Sequence, residues 1–363
     1  MIGHDNMIIK DLLVHSIKIP LKTPFIISAG AQRVYDGVIL ELKTEDGTTG
    51  WGEAAPSSRV TGETAQSVIT ALDETVKPMV IGKDIEDIDD ILDSVETALP
   101  TQPSACCALD IALHDLKAKA ANIPVKDLFG NYRKEIPISF TVVIGSVEES
   151  IKSAEKYIEL GAKVLKVKLG VDPDEDVDRI RALRQAFGDE IKITGDANEG
   201  YSVDQAIDTL NQIHRYNIEF VEQPVPAYDI MGLKDVRDAV EVPIMADEAA
   251  QSLEDVKNIL QHEAADMINI KLMKCGGLRN AAKIAYLTEN AGIPCQLGCM
   301  IETGVAITAG THIAIALENM KYADLDGHTF LIQDIVMNHQ ITRDGLNTIS
   351  GRPGLGIDVK LPN

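Results

Sequence analysis

The chain has 363 residues, 45% of them hydrophobic, and its 56 acidic against 34 basic side chains leave a formal charge of −22. That charge repels nucleic acid and anionic membrane surfaces, so neither is an expected partner. There is no apolar run of ~18 residues to span a bilayer, and five cysteines without a CxxC pair suit reduced thiols, so a cytoplasmic protein is expected.

The opening segment, MIGHDNMIIKDL, lacks the basic, apolar and small-residue order of a secretion signal. Residues 8–19 read as a strand leading into a loop from Pro20 to Arg33. GVILELKT and TTGWGEAA then flank Asp46-Gly47, a hairpin signal. Helical periodicity follows over 64–77, 86–98 and 103–121. Consecutive strands followed by consecutive helices indicate a small α+β domain, placed at residues 1–131.

From Ile136 strand and helix alternate. Strands are predicted over 137–144, 164–169, 191–196, 218–223, 242–247, 267–272, 293–299 and 322–326, with amphipathic segments such as SVEESIKSAEKYIELG between them. Eight strands in this rhythm make an α/β TIM barrel over residues 132–330. The tail 331–363, containing GRPGLG, lacks the rhythm and is expected to return to the first domain. No GxxxxGK[ST] occurs, and no GxGxxG stands between a strand and a helix, so nucleotide binding is not expected. The absence of HExxH or a histidine cluster argues against zinc.

VLKVKLG, residues 164–170, places Lys166 and Lys168 on one face of a strand. Asp196, Glu222, Asp247 and Lys271 each close a later apolar run, and from Lys168 onward the intervals are 28, 26, 25 and 24 residues. A βα unit needs about that length, so these charges fall at the C-terminal strand ends, which form one rim. Three carboxylates on adjacent strands repel one another and call for a cation; hard oxygen ligands select Mg²⁺ or Mn²⁺. Lys168 and Lys271 come from the second and sixth strands and would face each other across the mouth. One lysine removes an α-proton from a metal-bound carboxylate substrate while the other supplies a proton to the opposite face. Each then needs a lowered pKa, expected from the cation and, for Lys168, from Lys166. The metal would stabilise the enediolate, so racemisation or epimerisation is predicted.

The KVK strand, the Asp, Glu and Asp of the next three strands, and NIKLMKCGG resemble the muconate-lactonizing subgroup of the enolase superfamily. TGWGEAAP, ALDIALHDLKAK and the closing PGLG extend the resemblance over the whole chain. It implies a (β/α)7β-type barrel under an N-terminal capping domain, and a homo-oligomer. ADLDG, with Asp324 and Asp326, looks like the motif by which dipeptide epimerases bind the substrate's α-ammonium group. The resemblance further implies that Thr141, Cys299 and Ile301 border a dipeptide and that Lys166 assists Lys168. A muconate-type cycloisomerase and an o-succinylbenzoate synthase would use the same lysines and ligands, but their substrates carry no ammonium for the aspartates. A catalytically silent peptide-binding relative would have less reason to keep all five rim charges, and a Schiff-base aldolase would not need three metal ligands. Some glutamate-specific members carry an arginine on the first capping loop, where FIISAGAQ here offers Gly30, with Arg33 three residues beyond. A dipeptide with an apolar second residue, set against Phe25, Ile26, Ile27 and Val60, is therefore expected at least as much as L-Ala-L-Glu.

Overall fold

A computed structural model of the protein describes residues 7–28, 30–338 and 341–362. It opens with three antiparallel strands, β1 (Ile9–Ile27), β2 (Gly30–Thr44) and β3 (Thr49–Ala54). The stretch expected as a loop from Pro20 to Arg33 is instead a continuation of β1 and β2, paired as far as Ile27 and Gly30. A register shift between Pro20 and Phe25 absorbs two prolines that cannot donate to the ladder. The stretch is thus a paired two-stranded ribbon rather than a loop.

The alternation of β3 explains TTGWGEAA. A Cβ on Gly50 or Gly52 would run into the carbonyl oxygens of Ala112 or Ala108 in the helix Pro103–Ala120. Glycine at both positions lets that helix lie directly on the sheet. Val38, Leu40 and Leu42 of β2 complete this core with Ile91, Leu92 and Val95 of the helix Ile88–Ala98.

After the short β4 (Glu135–Pro137), eight strands run parallel: β5 (Ser139–Val142), β6 (Val164–Lys168), β7 (Lys192–Asp196), β8 (Ile218–Glu222), β9 (Ile244–Ala246), β10 (Met267–Lys271), β11 (Cys295–Gly298) and β12 (Met320–Asp324). Their order in the sheet, from β12 back to β5, is sequential. Each predicted barrel strand is present within a few residues of its expected bounds. Ser146, Ser202 and Ser252 start three of the surrounding helices as capping boxes, with Glu149, Gln205 and Asp255 returning the hydrogen bond.

The helix Gly304–Ala316 is buried at every position between cap and barrel, with Thr308, Thr311 and His312 its only polar side chains. Glu53 of β3 accepts hydrogen bonds from the Thr303 amide at 2.7 Å and the Ala306 amide at 2.9 Å, so a carboxylate of the cap holds the start of a barrel helix. The tail carries two short strands outside the barrel rhythm. β13 (Ile341–Arg343) and β14 (Leu346–Thr348) join β4 in a three-stranded sheet. Beyond them the Leu355 amide reaches Asp115 at 2.8 Å and the Gly354 carbonyl accepts from Val125 at 3.0 Å.

Candidate active site

Strand register sets the height of the rim charges. Lys168 lies beside Asp196 and Asp196 beside Glu222, while Lys271 lies beside Gly298 and Gly298 beside Asp324. Register partners on neighbouring parallel strands point to the same face, so these side chains converge inside one barrel mouth. Oxygens of Asp196, Glu222 and Asp247 come within 4.8 Å of one another, and all three residues are fully buried.

Each lysine is tied to this acidic floor differently. Lys166 Nζ lies 2.7 Å from Asp324 and 2.9 Å from both Asp196 and Glu222. Lys168 Nζ lies 2.6 Å from Asp196 Oδ2 and 3.1 Å from Asn198 Oδ1. Lys271 Nζ lies 2.6 Å from Asp247 Oδ2, on the other side of the cluster. All three line a cavity of about 440 Å³ together with Phe25, Ile27 and Tyr35 of the cap arm. The two strands that carry Lys168 and Lys271 thus deliver ammonium groups to different carboxylates of one cluster.

Burial works against ionisation of Asp196, but Lys166 and Lys168 outweigh it and hold the carboxyl at about 2. Asp247 is likewise held well below its ordinary range against burial, by Lys271 and Lys274. Glu222 moves the opposite way, pushed well up by burial and by Asp196. Without a cation, Lys271 and Lys166 both lie above their ordinary range. Burial would lower both, but Asp247 and Glu222 around Lys271, and Asp196 and Asp324 around Lys166, reverse it and raise them.

The donor set suits a hard divalent cation. It offers three buried carboxylates, oxygen ligands only, at the spacing that one ion requires. Asn269 donates to Glu222 Oε1 at 2.7 Å and so fixes one of those ligands from behind.

The remaining expected residues also reach the cavity. Asp324 and Asp326 line it beside Thr141, Cys299 and Ile301. Thr141 meets Asp326 through its backbone amide at 2.8 Å, and Asp324 accepts from Ser139 at 2.8 Å. Asp326 is pushed up to about 7 by burial and by its neighbour Asp324. The Cys299 thiol is held well above its ordinary range by burial. Ile26, expected beside Phe25 and Ile27, is exposed and takes no part in the lining, because alternation turns it to the opposite face of β1.

Sequence reasoning missed three neighbours. Asn198, in a left-handed conformation at φ 42°, places its side chain on Lys168 and its amide 3.0 Å from Asp196 Oδ1. Lys274 bonds to Asp247 because residues Leu272–Cys275 form one helical turn that brings it back under Lys271. Arg59, from the loop after β3, lines the outer cavity. Asn198 stands two residues after Asp196 and Lys274 within the quoted motif NIKLMKCGG, but nothing in their spacing says which way they point.

The comparisons with known proteins agree with this geometry. Residues 9–130 match the mandelate racemase / muconate lactonizing enzyme N-terminal domain, and residues 149–362 match the enolase C-terminal domain-like family. An L-Ala-D/L-Glu epimerase of Clostridium acetobutylicum is 38% identical over 97% of this chain and 99% of its own. An N-succinyl-L-Arg/Lys racemase of Bacillus cereus is 35% identical over 95% of this chain and 94% of its own. The crystal structure of a dipeptide epimerase from Enterococcus faecalis V583 complexed with Mg and L-Leu-L-Tyr is similar with a TM-score of 0.94 at 35% identity, covering 97% of this chain and 99% of that one. Identities this close across three different substrates do not discriminate among them, but they do show that the chain belongs to the mandelate racemase / muconate lactonizing enzyme family of the enolase superfamily.

Proposed function

We propose that this chain is a Mg²⁺-dependent dipeptide epimerase, an isomerase that inverts the α-carbon of the C-terminal residue of an L,L-dipeptide. The observation that carries the reading is the pair Lys168 and Lys271: both line one cavity, yet each is anchored to a different carboxylate of the same three-carboxylate cluster. Two bases separated in this way can serve opposite faces of one carbon, as a 1,1-proton transfer requires.

Asp196, Glu222 and Asp247 would hold the divalent ion. The ion supplies positive charge that steadies the substrate carboxylate as the α-proton leaves, and it offsets the carboxylates that raise Lys271 and Lys166. Lys168 takes or returns the proton on one face and Lys271 on the other. Lys166, ringed by Asp196, Glu222 and Asp324, assists as a fixed positive charge rather than as a base. Asp324 and Asp326 receive the α-ammonium group, with Thr141 holding Asp326 in place and Cys299 and Ile301 closing the wall beside them. A carboxylate pair at that end disfavours N-succinyl amino acids, muconate and o-succinylbenzoate, which are anionic or uncharged there. In this reading residues 1–131 cover the site, 132–330 perform the chemistry and 331–363 tie the two together. Five unpaired thiols agree with a reducing cytosol.

Proton NMR of L,L-dipeptides with enzyme and Mg²⁺ in D₂O tests the assignment. The expected result is loss of the C-terminal residue's α-proton signal and growth of the L,D diastereomer. No exchange in any dipeptide, with Mg²⁺ binding shown by calorimetry, would overturn it.

A further inference from the structure

Resting on the epimerase reading, we infer that Arg59 reads the side chain of the dipeptide's second residue, and that this residue is acidic. The expectation of an apolar second residue rests on Phe25, Ile26, Ile27 and Val60 and on Gly30, where among the described residues no atom lies within 4 Å of the place a Cβ would occupy; Arg33 lies outside the cavity lining. The second loop changes the balance. Ser57, Ser58, Arg59 and Val60 all line the cavity, so a guanidinium enters the wall from a different direction.

That guanidinium is free to take a ligand. Among the described residues its ion pair is a loose one, 3.9 Å to Glu199 Oε2, and its side chain is 49% exposed. Glu199 is itself anchored through its other oxygen, Oε1, which accepts from the Ala227 amide at 2.7 Å. The loop does not depend on Arg59 for its shape. The Thr61 and Gly62 amides donate to the Ser57 carbonyl at 2.8 and 3.0 Å, and the Ser57 amide donates to Thr61 Oγ1 at 3.2 Å. A self-bonded loop presents the charged group with little ordering left to do on binding.

The opposing charge on the cap wall is already spent. Asp36 also lines the cavity, but Lys18 pairs with it at 2.9 Å. The wall around the second residue thus offers apolar surface from Phe25, Ile27 and Val60, against which methylenes can lie, and one under-used fork of donors beyond it. A glutamate side chain has that order: two methylenes, then a carboxylate able to meet a guanidinium on two oxygens.

The test compares kcat/KM for L-Ala-L-Glu, the isosteric L-Ala-L-Gln and L-Ala-L-Leu, by α-proton exchange in D₂O with Mg²⁺, in the native enzyme and in Arg59→Gln and Arg59→Lys. The native enzyme should favour L-Ala-L-Glu over L-Ala-L-Gln. In Arg59→Gln that ratio should fall by about tenfold or more, the worth of a charge-assisted hydrogen bond, and Arg59→Lys should recover part of it. A ratio taken within one variant is unaffected by the fraction of protein that folds. A native preference for L-Ala-L-Leu or L-Ala-L-Gln, or a ratio unchanged in Arg59→Gln, overturns the role of Arg59 while leaving the epimerase intact. Exchange in none of the three, nor in any other dipeptide, overturns both.

Discussion

The backbone amide of Thr141 donates to the carboxylate of Asp326 across 2.8 Å, joining the first barrel strand to the last by a side chain. Ser139 and Asp324 repeat the link one turn of the pleat below, also at 2.8 Å. The edges of the sheet at β5 and β12 therefore meet through the same two aspartates that line the cavity. Asp324 is further paired with Lys166, which leaves Asp326 the better placed of the two to accept an incoming ammonium group.

Asp326→Asn keeps the Thr141 hydrogen bond and removes the charge. The expected outcome is a KM for L,L-dipeptides raised by about tenfold or more, from loss of a charge-assisted contact, with a smaller change in kcat. Steady-state kinetics followed by NMR or chiral chromatography would show it. An unchanged KM would remove Asp326 from substrate binding.

Lys168→Ala and Lys271→Ala should each lower epimerisation by about 10²- to 10⁴-fold, the usual contribution of a positioned acid or base. The two variants separate the faces of the α-carbon. If each lysine serves one epimer, one variant retains α-proton exchange with the L,L substrate and the other with the L,D substrate. Retention of full turnover by either would refute the two-base scheme.

Chelation should abolish activity, and Mg²⁺ or Mn²⁺ should restore it. Glu222→Gln keeps the size of the side chain and its contact with Asn269 but removes a ligand charge from a buried site. Calorimetric titration should show weakened Mg²⁺ binding in that variant relative to the native protein, and equal affinity would exclude Glu222 from the ion's ligands.

Stability should fall on acidification for a reason remote from the site. His312 is buried in the helix Gly304–Ala316, accepting from the Lys126 amide at 3.0 Å and donating from Nε2 to the Leu355 carbonyl at 3.2 Å. Burial lowers its pKa from 6.5 to about 4. Between those values the unfolded chain binds the proton and the folded one does not, so stability present above pH 6.5 is lost as the pH drops toward 4. The ceiling on the effect is about 3 kcal/mol. A series of melting temperatures from pH 7.5 to 4 should show the fall, and His312→Gln should flatten that part of the curve.

Glu53→Ala would strip the acceptor from the Thr303 and Ala306 amides, from the Thr303 hydroxyl at 2.6 Å and from the Tyr35 hydroxyl at 2.8 Å. Buried donors left unpaired cost about 1–3 kcal/mol each before relaxation, so a destabilisation of several kcal/mol is expected in chemical denaturation. Loss within ~0.5 kcal/mol would mean that water replaces the carboxylate.

The barrel and its acidic centre were legible because their signals are local. Lys166 and Lys168 share a strand face by period two, and the near-constant interval from Lys168 to Lys271 follows from the length of a βα unit, so one-dimensional spacing maps onto one rim. The alternation of Gly50 and Gly52 took its meaning only from the structure, where a helix lies on the sheet at both positions. What spacing cannot carry is the direction of a loop side chain. The Pro20–Arg33 stretch reads as loop because its two prolines interrupt the strand pattern, yet pairing with β2 holds it as an arm. Arg59, Asn198 and Lys274 stand in plain view in the sequence, and each owes its place to contacts between segments far apart in the chain: the cap with the mouth, β7 with β6, the turn after β10 with the end of β9. Repeating backbone geometry is written into neighbouring residues, whereas the meeting of side chains from separate segments exists only once the barrel has closed and the cap has settled on it.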